Sequence, residues 1–230
     1  MAKKQSRFLF QQKAALTVFG LLLVGIIGYL GWVALEEAPL GEFVEGEHYQ
    51  LIDDPRRVRG DRIEVMEFFS YACVHCYNFD PILEDWVEAR SAEVSFTRMP
   101  AVASEYWRLL ARAYYTLEEL DALEARHMAF FRAIHESRMT FPTPESIFDY
   151  AEEQGLDRQA FESAYRSTPV NASINRADQM ARRMKVSAVP TIVVQGKYIV
   201  RTTRSIGPKR MLEVMDYLVE LERGQAEAAE

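Results

Sequence analysis

The chain has 230 residues, a net charge of −7 and only two cysteines. Setting aside the four positive charges of residues 1–13 leaves −11 on the remainder, which argues against nucleic acid or anionic lipid as a partner. A single pair at C-x-x-C spacing closes too short a loop to staple a fold, so the chain is not a disulfide scaffold.

Residues Ala14 to Leu35 form a run of 22 without a charged side chain, enough to cross a bilayer at about 20 residues per crossing. Lys3, Lys4, Arg7 and Lys13 precede it, and Glu36, Glu37 and Glu42 follow it. The positive-inside rule then places residues 1–13 in the cytoplasm and everything after Glu36 outside. The rival reading is a cleaved signal peptide, whose apolar core is about 7–15 residues and ends in a small-x-small site. Here the core is longer, and Trp32 before Ala34 or Glu36 before Ala38 spoils the candidate exits, so an uncleaved anchor is expected. Residues 36–46 read as an acidic linker, and 47–222 as one domain.

Tyr49 to Ile52 reads as a short first strand, and Asp53-Asp54-Pro55 as a turn. Ile63 to Phe69 is rich in β-formers with an almost continuous apolar tail, as expected of a buried central strand. Asn78 to Ala89 has helical spacing through Phe79, Ile82, Leu83, Trp86 and Val87, with Pro81 expected to kink it. Glu93 to Met99 reads as a strand with Val94 and Phe96 inward and a Thr97/Arg98 pair outward. Strand, helix, strand makes a βαβ unit.

From about 101 to 184 the pattern is helical throughout, which suggests an inserted helical subdomain. Ser104, Thr143-Pro144 and Asp157 read as helix starts, and a last helix of the insertion is expected over Asn171 to Met184. Strands return at Val189 to Val194, and Gln195-Gly196 turns the chain into Lys197 to Val200. Gly207-Pro208 starts a final helix, Gly224 ends it, and residues 223–230 read as a disordered tail.

The chemistry centres on Cys73-Val74-His75-Cys76, directly after the Ile63 to Phe69 strand. A C-x-x-C where a strand meets a helix is a dithiol/disulfide redox site, because the helix N-terminus stabilises a thiolate on the first sulfur. Cys73 is the expected nucleophile, Cys76 the more buried sulfur, and His75 a source of a hydrogen bond or positive charge for Cys73. A zinc site needs about four ligands, and besides His75 only His48, His127 and His135 remain, so no metal is expected. His127 and His135 read as surface or core-edge residues of helices. Glu67 stands in an otherwise apolar strand. It is either a buried carboxylate able to relay protons to Cys76 or a solvent-facing residue at a strand end.

Three segments resemble the DsbA-type thiol–disulfide oxidases of the thioredoxin superfamily. Glu67-Phe-Phe-Ser-Tyr-Ala-Cys73-Val-His-Cys76-Tyr77 is similar to the family's E-F-F-x-x-x-C-x-H-C-Y stretch. Val189-Pro190-Thr191 resembles its cis-proline loop, and Gly196-Lys197-Tyr198 its hairpin. The resemblance implies an α/β thioredoxin-like fold with a helical insertion, here preceded by one transmembrane helix. It favours the proton-relay role for Glu67, and it places Val189, Pro190 and Val74 beside the substrate. It implies a dithiol oxidase that donates disulfides to unfolded exported proteins and needs no cofactor beyond the Cys73–Cys76 disulfide. The implied setting is the periplasmic face of a bacterial inner membrane, with a DsbB-type quinone-coupled membrane protein as reoxidant.

Two features depart from that pattern. Val74 stands where the best-known members carry Pro, and the anchor is absent from soluble members. A thiol pKa of about 3.5, as in DsbA, would stabilise the reduced form at pH 7 by about 4.8 kcal/mol, on the order of 100 mV. The alternatives are a tethered reductase or isomerase of the same fold, or a non-catalytic peptide-binding chaperone module.

Overall fold

The computed structural model describes residues 43–228 and, of the N-terminal segment, residue 25 alone. The expected cytoplasmic segment 1–13, the expected membrane span 14–35 apart from residue 25, and most of the 36–46 linker lie outside the described residues. Among the described residues no helix is long and apolar enough to cross a membrane.

The domain starts earlier than the sequence suggests. Phe43, assigned to the linker, is buried against the rings of Tyr217 and His48. Among the described residues five strands, β1 (Gln50–Leu51), β2 (Ile63–Phe69), β3 (Val94–Pro100), β4 (Thr191–Val194) and β5 (Tyr198–Arg201), form one sheet in the order β1-β5-β4-β2-β3. Only β2 and β3 run parallel, joined through α1 (Val74–Ala89). The helix is continuous through Pro81 and starts at Val74, immediately after the first cysteine.

The sheet is covered on both faces, which is why β2 is apolar almost throughout. Ile63 and Val65 face Phe79, Leu83 and Trp86 of α1 and Met211, Val214 and Leu218 of α7 (Pro208–Glu227). Met66 and Phe68 point the other way and pack with Val193, Ile199 and Met184. The period of two along β2 therefore assigns each side chain to a layer.

The insertion holds α2 (Glu105–Glu119), α3 (Leu123–His135), α4 (Pro144–Glu153), α5 (Arg158–Tyr165) and α6 (Thr168–Arg183). Ser104 caps α2 through the Trp107 N–H, Thr143 and Ser146 form a capping box on α4, and Asp157 caps α5. The helix expected from Asn171 starts at Thr168 instead: Ser167 caps it and Pro169 occupies its first turn, where a missing N–H costs nothing. The hairpin turn needs positive φ at Gln195 and Gly196, and a Cβ on Gly196 would meet the Arg56 carbonyl oxygen at 2.9 Å. Helix α7 does not end at Gly224, and residues 223–227 are helical rather than a disordered tail. Glu222 is held by Lys197 and Tyr198, and Arg223 by Glu93, which carries the helix past the glycine.

Candidate active site

Strand β2 delivers the chain to the first turn of α1, and the turn from Ser70 to Cys73 is closed by a Cys73 N–H to Ser70 carbonyl bond of 2.9 Å. Cys73 is the N-cap of α1, and its sulfur accepts the Cys76 backbone N–H at 3.2 Å. The two cysteines are unlinked, so the structure is the dithiol form. Cys73 is half-buried, whereas Cys76 is 0% exposed.

These surroundings separate the two sulfurs. The Cys76 side chain donates to Cys73, the backbone N–H groups of Cys76 and His75 add to it, and His75 supplies charge. Together they bring the Cys73 thiol down to about 6. Burial and the neighbouring Cys73 sulfur push the Cys76 thiol far up. One sulfur is therefore a thiolate near neutral pH and the other a thiol. His75 itself lies exposed beside them, and Val74 is 47% exposed.

The Val189–Pro190 peptide is cis, and the Val189 carbonyl lies 3.5 Å from Cys73 Sγ. The fold thus brings together segments 116 residues apart. Val189 is partly exposed and Pro190 buried.

Glu67 is 1% exposed, in the layer between β2 and α1, and does not face solvent. Burial raises its carboxyl to about 8, against the pull of Arg98. Its charge opposes ionisation of Cys76, and the Cys73 charge opposes its own. Arg98 is its register partner on β3, at 3.2 Å. The expectation that Arg98 points outward is thus wrong. A period of two groups Arg98 with Val94 and Phe96 on the inner face, and that signal was present in the sequence.

Arg98 also reaches Asp80 of α1 at 3.1 Å and Glu84 at 2.6 Å. Asp80 lies four residues after Cys76, on the same buried face of the helix. Burial works against its charge, but His127 and Arg98 outweigh that and hold it low. Burial also lowers His127, although Asp80 pulls it back up. A neutral His127 beside an ionised Asp80 has one satisfactory tautomer: Nε2–H donates to Asp80 at 3.0 Å, and Nδ1 accepts the Tyr71 hydroxyl at 2.9 Å. His127 is therefore buried beneath the redox turn and is no surface residue.

His135, two helical turns further along α3, donates from Nε2 to the Tyr71 carbonyl at 2.8 Å and stacks on Tyr77, with centroids 5.2 Å apart. Helix α3 thus grips Tyr71 twice, once by its side chain and once by its backbone. Sequence reading missed Arg98, Asp80, Tyr71 and both histidines. The eight-residue spacing of His127 and His135 on one helix was the available clue.

A helix-capping C-x-x-C beside a cis-proline, on a five-stranded sheet with a helical insertion, defines the class of thioredoxin-like dithiol proteins. A model of the DSBA-like thioredoxin domain matches residues 90–218. The thiol:disulfide interchange protein DsbA of Pseudomonas aeruginosa is 35% identical over 190 residues, 82% of this chain and 90% of the relative. The Azotobacter vinelandii protein of the same name is 33% identical over 207 residues, 90% of this chain and 97% of its own. The crystal structure of P. aeruginosa DsbA superposes with a TM-score of 0.77 at 35% identity, covering 81% of this chain and 97% of that one. The chain belongs to the DsbA-like thioredoxin family.

Proposed function

We propose that this protein is a thiol–disulfide oxidoreductase of the DsbA type, acting as a dithiol oxidase on exported proteins through Cys73 and Cys76. The observation that carries the reading is the N-capping Cys73 sulfur, drawn down to about 6 and set 3.5 Å from the cis-proline loop.

In the oxidised enzyme, a substrate thiolate attacks Cys73 Sγ. A substrate–Cys73 bond forms, the Cys73–Cys76 bond breaks, and Cys76 leaves with the electron pair. Glu67, with a pKa of about 8, is mostly protonated at pH 7 and can pass its proton to Cys76, whose thiol lies far higher. The substrate's second thiolate then attacks the substrate sulfur of the mixed disulfide and expels Cys73. The substrate loses two electrons and the enzyme gains them, held on two sulfurs without a further cofactor. Val189, Pro190 and Val74 border Cys73, where an extended substrate would lie.

A thiolate at about 6 is one unit below pH 7. That is about 1.4 kcal/mol before solvent screening at a half-exposed sulfur reduces it, or at most roughly 30 mV. It is a fraction of the roughly 150 mV between thioredoxin and DsbA potentials. Most of an oxidising potential must then come from terms that disfavour the disulfide form. The same figure is the argument for the alternative, a reductase on this fold.

The charge-free run 14–35, with cations before it and acids after it, supports a single-pass anchor and a periplasmic domain. A quinone-coupled membrane protein of the DsbB type would then reoxidise Cys73 and Cys76. Retention of the full-length chain in membranes after alkaline extraction is the expected result, and a shortened soluble chain would contradict it. Activity is tested by mixing the oxidised protein with a reduced, unfolded substrate. Wild type should transfer one disulfide per molecule, and Cys73→Ser none. Transfer by Cys73→Ser would overturn the assignment.

A further inference from the structure

The peptide unit between Tyr71 and Ala72 is fixed at both ends. Its N–H, on Ala72, donates to Ser70 Oγ at 3.2 Å, and its carbonyl, on Tyr71, accepts His135 Nε2 at 2.8 Å. Tyr71 is 1% exposed, and among the described residues His135 is the hydrogen-bond partner of that carbonyl. A buried carbonyl left without a donor is costly, so the peptide would turn toward water if His135 lost its N–H.

His135 also holds the other flank of the dithiol. Its ring stacks on Tyr77 with the planes 15° from parallel, and the Tyr77 hydroxyl donates to Glu136, the next residue along. Tyr77 follows Cys76 directly, and its N–H donates to the Cys73 carbonyl at 3.0 Å. The end of α3 therefore holds the chain two residues before Cys73 and again one residue after Cys76.

These flanks matter because the Cys73 sulfur works as a helix cap. A capping residue keeps an extended backbone, and Cys73 does so with φ −95° and ψ 112°. The Ser70 to Cys73 turn that leads into this backbone encloses the Tyr71–Ala72 peptide. We infer that His135 is a positioning residue of the redox reaction: by clamping Tyr71 and Tyr77 it keeps the Cys73 sulfur in its capping place over α1. The inference rests on the redox reading of Cys73 and Cys76. Its consequence is that the helical insertion sets the thiol–disulfide equilibrium as well as covering the turn. The direction follows from the chemistry. A loosened cap withdraws N–H groups from the Cys73 thiolate, the reduced form loses stability, and the protein becomes a weaker oxidant.

The test compares full-length wild type with His135→Phe, His135→Gln and Tyr150→Phe. Phe keeps a ring against Tyr77 and removes the donor, whereas Gln keeps an N–H donor. Tyr150→Phe removes a 2.9 Å bond to the Ala129 carbonyl of the same helix and is the control for loosening of the insertion alone. In His135→Phe the thiolate titration of the reduced protein should move up by about 0.5 in pH. Its equilibrium with glutathione should shift about threefold toward the oxidised protein, or roughly 14 mV. His135→Gln should keep most of the wild-type behaviour, and Tyr150→Phe should show neither shift. Unchanged titration and equilibrium in a folded His135→Phe overturn the clamp, as do equal shifts in Tyr150→Phe. Tyr77→Leu removes the stacked ring from the other side and should move both readouts the same way. It decides the question where circular dichroism shows His135→Phe unfolded, and no shift in it overturns the clamp. If wild type does not exchange with glutathione at all, the redox reading falls and the clamp with it; if wild type exchanges while His135→Phe matches it, only the clamp falls.

Discussion

Cys73 and Glu67 have opposite electrostatic surroundings, and each makes a pH prediction. Hydrogen bonds to the Cys73 sulfur favour its charged form, so thiolate absorbance of the reduced protein should titrate near pH 6. Loss of that step in Cys73→Ser would assign it, and a midpoint above 8 would contradict the site geometry. Glu67 is buried, and its folded-state pKa of about 8 lies well above the about 4.3 of an unfolded glutamate. Between those values the folded state binds the extra proton. Stability from this residue is thus complete below about pH 4 and is lost as pH rises toward 8. Glu67→Gln should be nearly flat by comparison. Urea melts across pH 5 to 8.5 should show the variant gaining on wild type as pH rises, and a constant difference would contradict the assignment.

The elements around the site were legible in unequal measure. Strand β2 and the C-x-x-C stood out because apolar run, cysteines and helix start follow one another without a gap. The two-sided burial of β2 hid which residues share a layer, and so Glu67 remained open between two environments. Grouping Thr97 and Arg98 as one outward pair fails for Arg98 because adjacent strand residues point to opposite faces. The grip of α3 on Tyr71 depends on a contact 56 residues away in sequence, which no local pattern carries. Removing one partner from the buried charges should be costly. Arg98→Met leaves the ionised, buried Asp80 without its cation and should destabilise the fold by about 3–5 kcal/mol. His127→Ala leaves the Tyr71 hydroxyl without its acceptor and Asp80 with Arg98 alone, and should cost about 2–4 kcal/mol. Chemical denaturation checks both. A loss below 1 kcal/mol in either variant would show that water replaces the lost partner.

At the scale of the molecule, the helical insertion covers one side of the redox turn and the sheet with α1 supplies the other. The nucleophile sits where they meet, open to a chain that passes the cis-proline loop. The net negative charge that remains beyond residue 13 disfavours contact with anionic lipid or nucleic acid. Whether electrons flow into this dithiol from exported proteins, or out of it, is set by its reduction potential. The most direct measurement is equilibration of the protein with glutathione buffers at pH 7. The oxidase account predicts a value on the oxidising side of about −200 mV, toward the −120 mV or so of DsbA. A value near −270 mV, like that of thioredoxin, would contradict it and make the protein a reductase.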